Sequence, residues 1–328
     1  MGFPQIVGHQ KQIELVRQAL NRGRLHHAYL FVGAEGVGKK TIALGLAKAI
    51  HCPALTGDFC GECADCARIQ DGNHPDVRIL SPLAGKKEIS IQQIRELEKE
   101  LNFRSFSGKK KIAILDPATL MNLPAQNALL KTLEEPPQDS LLILIASNGG
   151  ALLPTLRSRC LRLTFGPLAR DLVSDFLVSR RGIEAETAEF LAAMSMGSLG
   201  SVVNIDTQEL LERRREWMRL TSSLGAGDYR AATDAAEVLA GSKEDSLRFL
   251  EWVESWFRDL LVYRVTQNQQ DLVNIDMLEQ IRQRSATADF ERLFLRIAEA
   301  KAAVAGIQRN LNRRMVIEDL LLNTVEAS

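Results

Sequence analysis

Aromatic residues are scarce in this chain, and neither sign of charge predominates. Phe, Trp and Tyr make up 5% of the 328 residues, which argues against a base-stacking surface for single-stranded nucleic acid. Lys and Arg together number 41, as do Asp and Glu together. The formal net charge is therefore zero, and any contact with nucleic acid must come from a local patch.

Long apolar runs are also absent. No run reaches the roughly 18 consecutive apolar residues that a membrane-spanning helix needs, so we expect none. Residues 1–10 have neither the basic nor the apolar region of a secretory signal. We therefore expect a cytoplasmic protein, in which cysteine thiols stay reduced.

Short apolar runs alternate with helical patterns over the first half of the chain. Five runs are typical of strands, and the most apolar suit strands buried on both faces of a parallel sheet: 28–32, 77–80, 112–115, 141–146 and 161–165. Helical patterns lie near 10–22, 39–51, 90–103 and 123–135. This alternation predicts an α/β domain with a doubly wound parallel sheet.

The strand pattern ends after Pro167, and the rest of the chain is helical in pattern, with breaks at glycines. We therefore predict an α/β domain over residues 1–167 and a small all-α domain over 168–208. A larger all-α C-terminal domain is predicted over 209–328.

A glycine-rich loop follows the first predicted strand and opens the next helix. Residues 33–39 read G-x-x-x-x-G-K, in the strand–loop–helix context that a P-loop requires. Glycines let backbone N–H groups converge on a phosphate, and the helix N-terminus adds positive potential. The sequence therefore predicts a phosphate cradle formed by Gly33, Gly36, Gly38 and Lys39.

Two groups of a working hydrolase are missing around this loop. Lys40 stands where a hydroxyl is expected to bind Mg²⁺, and an ammonium has no lone pair for a metal. Thr41 lies about 100° further around the helix. Asp116 can reach Mg²⁺ or cap its strand, but Pro117 follows it where active ATPases usually carry a glutamate. We expect weak binding of ATP and Mg²⁺ and weak or absent hydrolysis.

Four of the five cysteines are close together in a module at about 52–66. Cys52, Cys60, Cys63 and Cys66 have the spacing C-x7-C-x2-C-x2-C. Four thiolates in a polar loop favour a closed, structural Zn²⁺ site, whose metal would supply the folding energy of the insert. An iron–sulfur cluster and unliganded thiols stay open as alternatives, although the cluster pattern places Cys-Pro last rather than first.

Two further features are interpreted without a function. The five histidines show no ligand spacing and are expected to be surface or hydrogen-bonded side chains. The run of lysines at 109–111 is interpreted as a solvated edge, with phosphate contact as the alternative.

Several segments together resemble one family. NALLKTLEEPP at 127–137 and TLRSRC at 155–160 closely resemble the clamp-loader branch of the AAA+ ATPases. The segments 6–9, 27–31 and 310–322 match the same family. The resemblance thus covers nearly the whole chain.

The resemblance implies an AAA+ domain with a zinc insert, a small helical lid and a helical C-terminal collar that serves oligomerisation. It implies a subunit of the replicative clamp loader, in a heteropentamer with motor (gamma/tau) and delta subunits. That complex uses ATP to load the sliding clamp onto primed DNA, and belongs to a DNA polymerase holoenzyme, a nucleotidyltransferase.

The resemblance also assigns roles to two residues. Arg159, within the SRC motif, would act in trans as an arginine finger on ATP held by the adjacent motor subunit. Asn148 would occupy the sensor position beside the γ-phosphate.

Two other functions stay open. An ATPase motor subunit of the same fold would need Thr41 to replace the missing metal ligand. A zinc-dependent nucleic-acid adaptor would carry a vestigial P-loop.

Overall fold

The computed structural model of this chain describes residues 2–54, 57–225 and 227–326. Residues 55 and 56 of the predicted cysteine module lie outside this description, as do 226, 327 and 328 of the predicted C-terminal domain. The chain divides into two compact units, Met1–Ala188 with Ser195–Val203 and Glu189–Met194 with Asn204–Ser328. The predicted boundaries at 167 and 208 stay predictions.

Five parallel strands form the sheet of the first unit, in the order β2-β3-β4-β1-β5. They are β1 (Ala28–Val32), β2 (Val77–Leu80), β3 (Lys111–Leu115), β4 (Ser140–Ala146) and β5 (Leu161–Thr164). Every residue of β1, β3 and β4 is buried, which is why these strands read as continuous apolar runs. The predicted parallel sheet is confirmed.

Nine helices accompany these strands in the described chain: α1 (Gln10–Asn21), α2 (Lys39–His51), α3 (Ala64–Gln70), α4 (Ile91–Asn102), α5 (Leu123–Glu134), α6 (Pro154–Arg157), α7 (Arg170–Arg181), α8 (Ala185–Met194) and α9 (Leu199–Val202). A capping box between Ser90 and Gln93 starts α4. Helix α5 ends at Glu134 because Pro136 forces the residue before it out of the helical region.

The sheet buries both of its faces against helices. On one face Tyr29 and Phe31 of β1 share a core with Leu46 of α2. On the other face Leu30 shares a second core with Leu129 of α5. Alternate side chains of a strand point to opposite faces, so β1 joins both layers and holds the loop that follows it.

The second unit is all-helical. Its main helices are α10 (Thr207–Ser222), α11 (Tyr229–Leu239), α12 (Lys243–Thr266), α13 (Leu278–Thr287), α14 (Phe290–Gln308) and α15 (Arg313–Glu326). Trp217, Phe249, Trp252 and Trp256 form the aromatic centre of its core. The predicted class, an α/β domain followed by helices, is confirmed. Within the described residues, we find no helix with the length and apolar character needed to cross a membrane.

Candidate nucleotide pocket and metal centre

The glycine-rich loop lies between β1 and α2, and its glycines are required for different reasons. Gly36 and Gly38 have φ angles of 72° and 107°, a region that side-chain-bearing residues rarely adopt. Position 33 has no room for a side chain, since a Cβ there would lie 2.2 Å from the carbonyl oxygen of Phe165. The structure thus places the predicted cradle residues in one loop.

The ammonium of Lys39, which is predicted to bind phosphate, lies inside the glycine-rich loop. Its Nζ donates hydrogen bonds of 2.5 Å to the carbonyl oxygens of Gly33 and Ala34. Burial lowers the pKa of Lys39, and the negative charges of Asp116 and Glu35 oppose that shift. The ammonium is therefore bound to backbone carbonyls of the cradle.

A turn before α9 packs directly on the glycine-rich loop. The Ser198 hydroxyl donates to the carbonyl of Glu35 at 2.7 Å, and the Gly200 N–H donates to the carbonyl of Gly36 at 2.9 Å. A Cβ on Gly36 would approach the Ser198 Oγ to 2.3 Å. This turn, which lies within the predicted small helical domain at 168–208, holds the loop through the carbonyls of Glu35 and Gly36.

Lys40 forms an ion pair with Asp116, the carboxylate that was expected to bind Mg²⁺. Its Nζ lies 3.4 Å from Oδ2 of Asp116, and the Lys40 side chain is 53% exposed. Pro117 follows Asp116, and Thr41 is exposed on α2. The carboxylate of Asp116 is therefore paired with the ammonium of Lys40. The sequence did not predict this ion pair.

Asn148 follows β4, close to the end of β1 because the two strands pair in parallel. Its Oδ1 accepts a hydrogen bond of 2.8 Å from the N–H of Gly150. The side chain is exposed and already orders its own turn.

Arg159 is held by a partner that the sequence did not reveal. Its Nη2 lies 2.6 Å from Oε1 of Glu134, and its Nη1 donates to the carbonyl of Thr155 at 2.8 Å. The Arg159 side chain is 36% exposed. Glu134 belongs to the segment 127–137, so the two family motifs meet in space at this ion pair. Their joint occurrence was the only sequence signal for it.

The four predicted metal ligands converge from three short segments. Cys52 ends α2, Cys60 lies in the loop, Cys63 caps α3 and Cys66 follows in its first turn. Their four sulfur atoms lie within 4.8 Å of one another. A short, polar insert thus brings a complete thiol set together.

The separations of the sulfur atoms fit a tetrahedral ion. The Sγ atoms of Cys52 and Cys60 are 3.7 Å apart. Zinc–sulfur bonds of about 2.3 Å give tetrahedral edges of about 3.8 Å. Backbone N–H groups of Glu62 and Cys63 donate to Cys60 Sγ at 3.5 and 3.3 Å, and that of Cys66 donates to Cys63 Sγ at 3.5 Å. These donors stabilise thiolates, so the cysteines can bind a metal such as zinc.

The same donors explain the acidity of one thiol. The N–H groups of Glu62 and Cys63 lower the pKa of Cys60 to about 6. Burial raises the pKa of Cys66 instead, to about 12. The buried ammonium of Lys48 donates to Gln70 Oε1 at 2.6 Å. Burial lowers the pKa of Lys48, and negative charge on Cys66 or Asp71 opposes that shift.

A buried polar cluster lies next to the cysteine module and was missed from the sequence. The rings of His51 and His74 lie 4.4 Å apart, and a ligand-type atom of each lies within 4.8 Å of one on Asp76. Both oxygens of Asp76 accept bonds, from the N–H groups of Phe106 and Ser107 and from the Ser107 hydroxyl. The cluster therefore ties the end of α2 to the loop before β3.

His51 agrees with the interpretation of the histidines as surface or hydrogen-bonded groups, although its ring is buried. It is 1% exposed, its Nδ1 lies 3.3 Å from the Ser107 hydroxyl, and its Nε2 has no hydrogen-bond partner among the described residues. Burial lowers the pKa of His51 to about 4, so the ring is neutral at pH 7. No local spacing could signal this, because His74 lies in a different segment.

The lysine run at 109–111, whose last residue begins β3, is solvated only in part. Lys111 is buried, and its Nζ donates to the carbonyl of Glu100 at 2.7 Å. Lys109 donates to the carbonyl of His51 at 3.1 Å. The expectation of a solvated edge is therefore wrong for Lys111.

Relatives of this chain identify its family. It is 30% identical to DNA polymerase III subunit delta' of Bacillus subtilis over 313 residues, which span 94% of each protein. The chain belongs to the DNA polymerase III subunit delta' family. It is also 32% identical to the subunit delta' of Pseudomonas aeruginosa over 318 residues, or 95% of each protein.

Two family models match this delta' family member. The model described as DNA polymerase III, delta subunit, matches residues 8–169, and the model of the C-terminal part of that subunit matches 207–326. The DNA polymerase III subunit tau of Escherichia coli is 28% identical over 249 residues, which span 74% of this chain but 36% of that protein. The resemblance inferred from the sequence motifs is confirmed.

Proposed function

We propose that this delta'-family chain is a subunit of the replicative clamp loader that assists ATP-dependent loading of the sliding clamp onto primed DNA. Its proposed partners are motor (gamma/tau) and delta subunits in a heteropentamer. The delta' relatives match over 94% and 95% of this chain, which supports this role over the motor role, since the tau relative matches over 74% of it.

The chain itself hydrolyses ATP weakly or not at all in this proposal. The observation that carries it is the ion pair of 3.4 Å between Lys40 and Asp116. A Mg²⁺ ion would have to compete with this ammonium for the carboxylate, without a hydroxyl at position 40. Pro117 supplies no carboxylate to orient an attacking water. Gly33, Gly36, Gly38 and Lys39 would still hold phosphates.

The catalytic contribution proposed for this chain is Arg159, acting on ATP of a neighbouring motor subunit. A guanidinium offers several donors in a fixed plane for phosphate oxygens. The contacts with Glu134 and Thr155 engage Nη2 and Nη1 and hold the side chain near its tip, while it stays 36% exposed. The arginine is thus both positioned and accessible.

We assign the four cysteines to a structural Zn²⁺ ion. Cys52, Cys60, Cys63 and Cys66 form a closed donor set, which leaves no position for substrate. The insert has few apolar residues, so metal binding would supply much of its folding free energy.

A steady-state ATPase assay of the purified chain tests the first claim. We expect turnover at background level, unchanged by Lys39→Ala. Substantial turnover that Lys39→Ala abolishes would identify a motor subunit instead. Binding of DNA by the lone chain, lost when the metal is chelated, would favour the adaptor function.

Reconstitution with motor and delta subunits tests the second claim. Arginine fingers accelerate hydrolysis about 10³–10⁵-fold in GTPases, so Arg159→Ala should silence the motor site that faces this chain. The measurement is the burst of phosphate release stimulated by clamp and primed DNA. Its amplitude should fall by the contribution of one motor site. Arg162→Ala, an exposed arginine of β5, is the matched control. An unchanged burst for Arg159→Ala would refute the trans role.

A further inference from the structure

Within the described residues the sheet ends at two edge strands, β2 and β5. Strand β2 pairs with β3 on one side only and ends the sheet order. The carbonyls of Asp76 and Leu80 accept bonds from the Ile112 and Asp116 N–H groups, towards β3. Backbone groups alternate along a strand, so those of Val77 and Ile79 face away from β3. The Val77 N–H donates to the carbonyl of His74 at 3.1 Å, so the Val77 carbonyl and the Ile79 groups are the ones that can pair. Edge strands of this kind bind extended peptides by strand addition.

A groove runs along this open edge, between β2 and α4. It comprises a cavity of about 680 Å³ and a smaller one of about 280 Å³, both lined by Arg78, Leu97 and Glu100. Gln93 of α4 donates to the carbonyl of Ser81 at 2.9 Å. The groove therefore has a strand as one wall, a helix as the other and a polar bridge across the smaller cavity.

The larger cavity combines apolar surface with unneutralised positive charge. Phe103 and Phe106 border it and are 70% and 82% exposed. Arg78 lies 3.6 Å from Glu100, the one exposed carboxylate in its lining, whereas Arg104 has no ion pair within the described residues. A free guanidinium beside exposed rings suits an anionic side chain next to an apolar one.

The rim of the groove is ordered before any ligand arrives. Asp76 accepts hydrogen bonds of 2.8 and 2.9 Å from the N–H groups of Phe106 and Ser107. Lys111 reaches across to the carbonyl of Glu100 at 2.7 Å, with its ammonium 5.9 Å from the centre of the Phe103 ring. A preformed groove avoids part of the ordering cost of binding.

We propose that this groove binds an extended acidic peptide segment of a partner protein, which adds a sixth strand beside β2. Its backbone would pair with the carbonyl of Val77 and with the outward groups of Ile79. An apolar side chain would enter the larger cavity, and a carboxylate would pair with Arg104. Single-stranded nucleic acid fits less well, because it has no backbone amides to pair with the edge of β2. Glu96 lines the smaller cavity only, which places the carboxylate of the peptide at the larger one.

The probe is a fluorescein-labelled peptide of about ten residues that alternates aspartate with valine or leucine. This length extends past the four residues of β2 at about 3.3 Å per residue. Fluorescence anisotropy with the full chain should give saturable binding in the micromolar range, about 1–100 μM. A peptide with lysine in place of aspartate should bind at least about tenfold more weakly.

Backbone pairing is tested with two further peptides that carry N-methyl groups on alternate amides, in the two possible phases. In an added strand only one set of amides faces β2. One methylated peptide should therefore lose binding while the other retains it. This contrast needs no change in the protein, so it cannot be confused with misfolding.

Charge pairing is tested with Arg104→Glu, which should weaken binding of the acidic peptide about tenfold or more. Arg95→Glu, an exposed change on α4 outside the groove lining, should change it less than about twofold. Equal binding of both methylated peptides, or no saturation up to about 1 mM, would overturn the proposal. Binding of a labelled thymidine oligonucleotide that Arg104→Glu abolishes, without peptide binding, would assign the groove to nucleic acid instead.

Discussion

The cysteine module and the glycine-rich loop carry equally recognisable motifs, yet the structure treats them differently. All four sulfur atoms lie within 4.8 Å of one another, as a tetrahedral ion requires. In the candidate nucleotide pocket the glycine-rich loop is formed, but Lys40 lies 3.4 Å from Asp116, the carboxylate predicted to bind Mg²⁺. The cysteine module has a complete set of four thiols. In the candidate pocket, the carboxylate predicted to bind Mg²⁺ is paired with a lysine.

The difference shows what a local motif guarantees. The cysteine ligands lie within 15 consecutive residues, so local turns are enough to bring them together. The pocket also needs Asp116 from another strand, and therefore depends on side chains that the motif does not include. Four predictions test this contrast, beginning with the largest expected effect.

Loss of one cysteine ligand should disrupt its module. Cys63→Ser is expected to abolish stoichiometric zinc and to cost several kcal/mol of local stability, since metal binding supplies the folding energy. The measurements are zinc content and hydrogen exchange of α3. Cys160→Ser, which alters a thiol packed against the core outside the module, should keep its zinc. Full zinc content in Cys63→Ser would show that the donor set is not the metal site.

Asp76→Asn should weaken the polar cluster beside the module by about 1–3 kcal/mol, because the N–H groups of Phe106 and Ser107 would lose a buried, charged acceptor. Burial opposes ionisation, but bonds from Phe106 and Ser107 outweigh it and lower the pKa of Asp76. Its stabilising effect is therefore present above the carboxyl's unfolded pKa and lost as pH falls through the folded value.

Urea unfolding of Asp76→Asn between pH 3 and 7 gives the measurement. The difference from the unmodified chain should be largest at pH 7 and shrink in acid. Asp139→Asn, at an exposed ion pair with Lys110, should change stability by less than about 0.5 kcal/mol. A pH-independent difference for Asp76→Asn would contradict this assignment.

Lys40→Ser should convert the pocket towards the metal-binding type. It removes the ammonium from Asp116 and supplies a hydroxyl, so Mg²⁺–ATP should bind about tenfold more tightly, or about 1.4 kcal/mol. Isothermal titration calorimetry measures this change. Lys40→Ala removes the charge without adding a ligand and should recover only part of the effect. Identical affinities for the two variants would exclude a role for the hydroxyl.

Glu134→Gln should have the smallest effect. A partly exposed ion pair contributes about 0–1 kcal/mol, so the ATPase of the reconstituted complex should fall by less than about fivefold. Glu135→Gln, at an exposed neighbour, is the control. A loss as large as that of Arg159→Ala would mean that Glu134 does more than position the arginine.

Elements of the sheet were predictable because their apolar runs are local. Strands 28–32 and 77–80 were predicted with the bounds observed, and the end of α5 followed from Pro136. The cysteine ligands were predictable for the same reason. The cluster of His51, His74 and Asp76 was not, since His51 ends α2 whereas His74 and Asp76 lie before β2, more than 20 residues further along the chain.

The sequence by itself determined the alternation of strands and helices, the cradle of Gly33 to Lys39 and the set of four thiols. Each depends on residues that are close along the chain, where backbone preference and periodicity act directly. Tertiary structure decided that Lys40 pairs with Asp116 and Arg159 with Glu134. It also left β2 open beside α4. The two ion pairs and the open edge depend on which strand ends and helices are neighbours in the parallel sheet. The order of the elements along the chain does not by itself determine those neighbours.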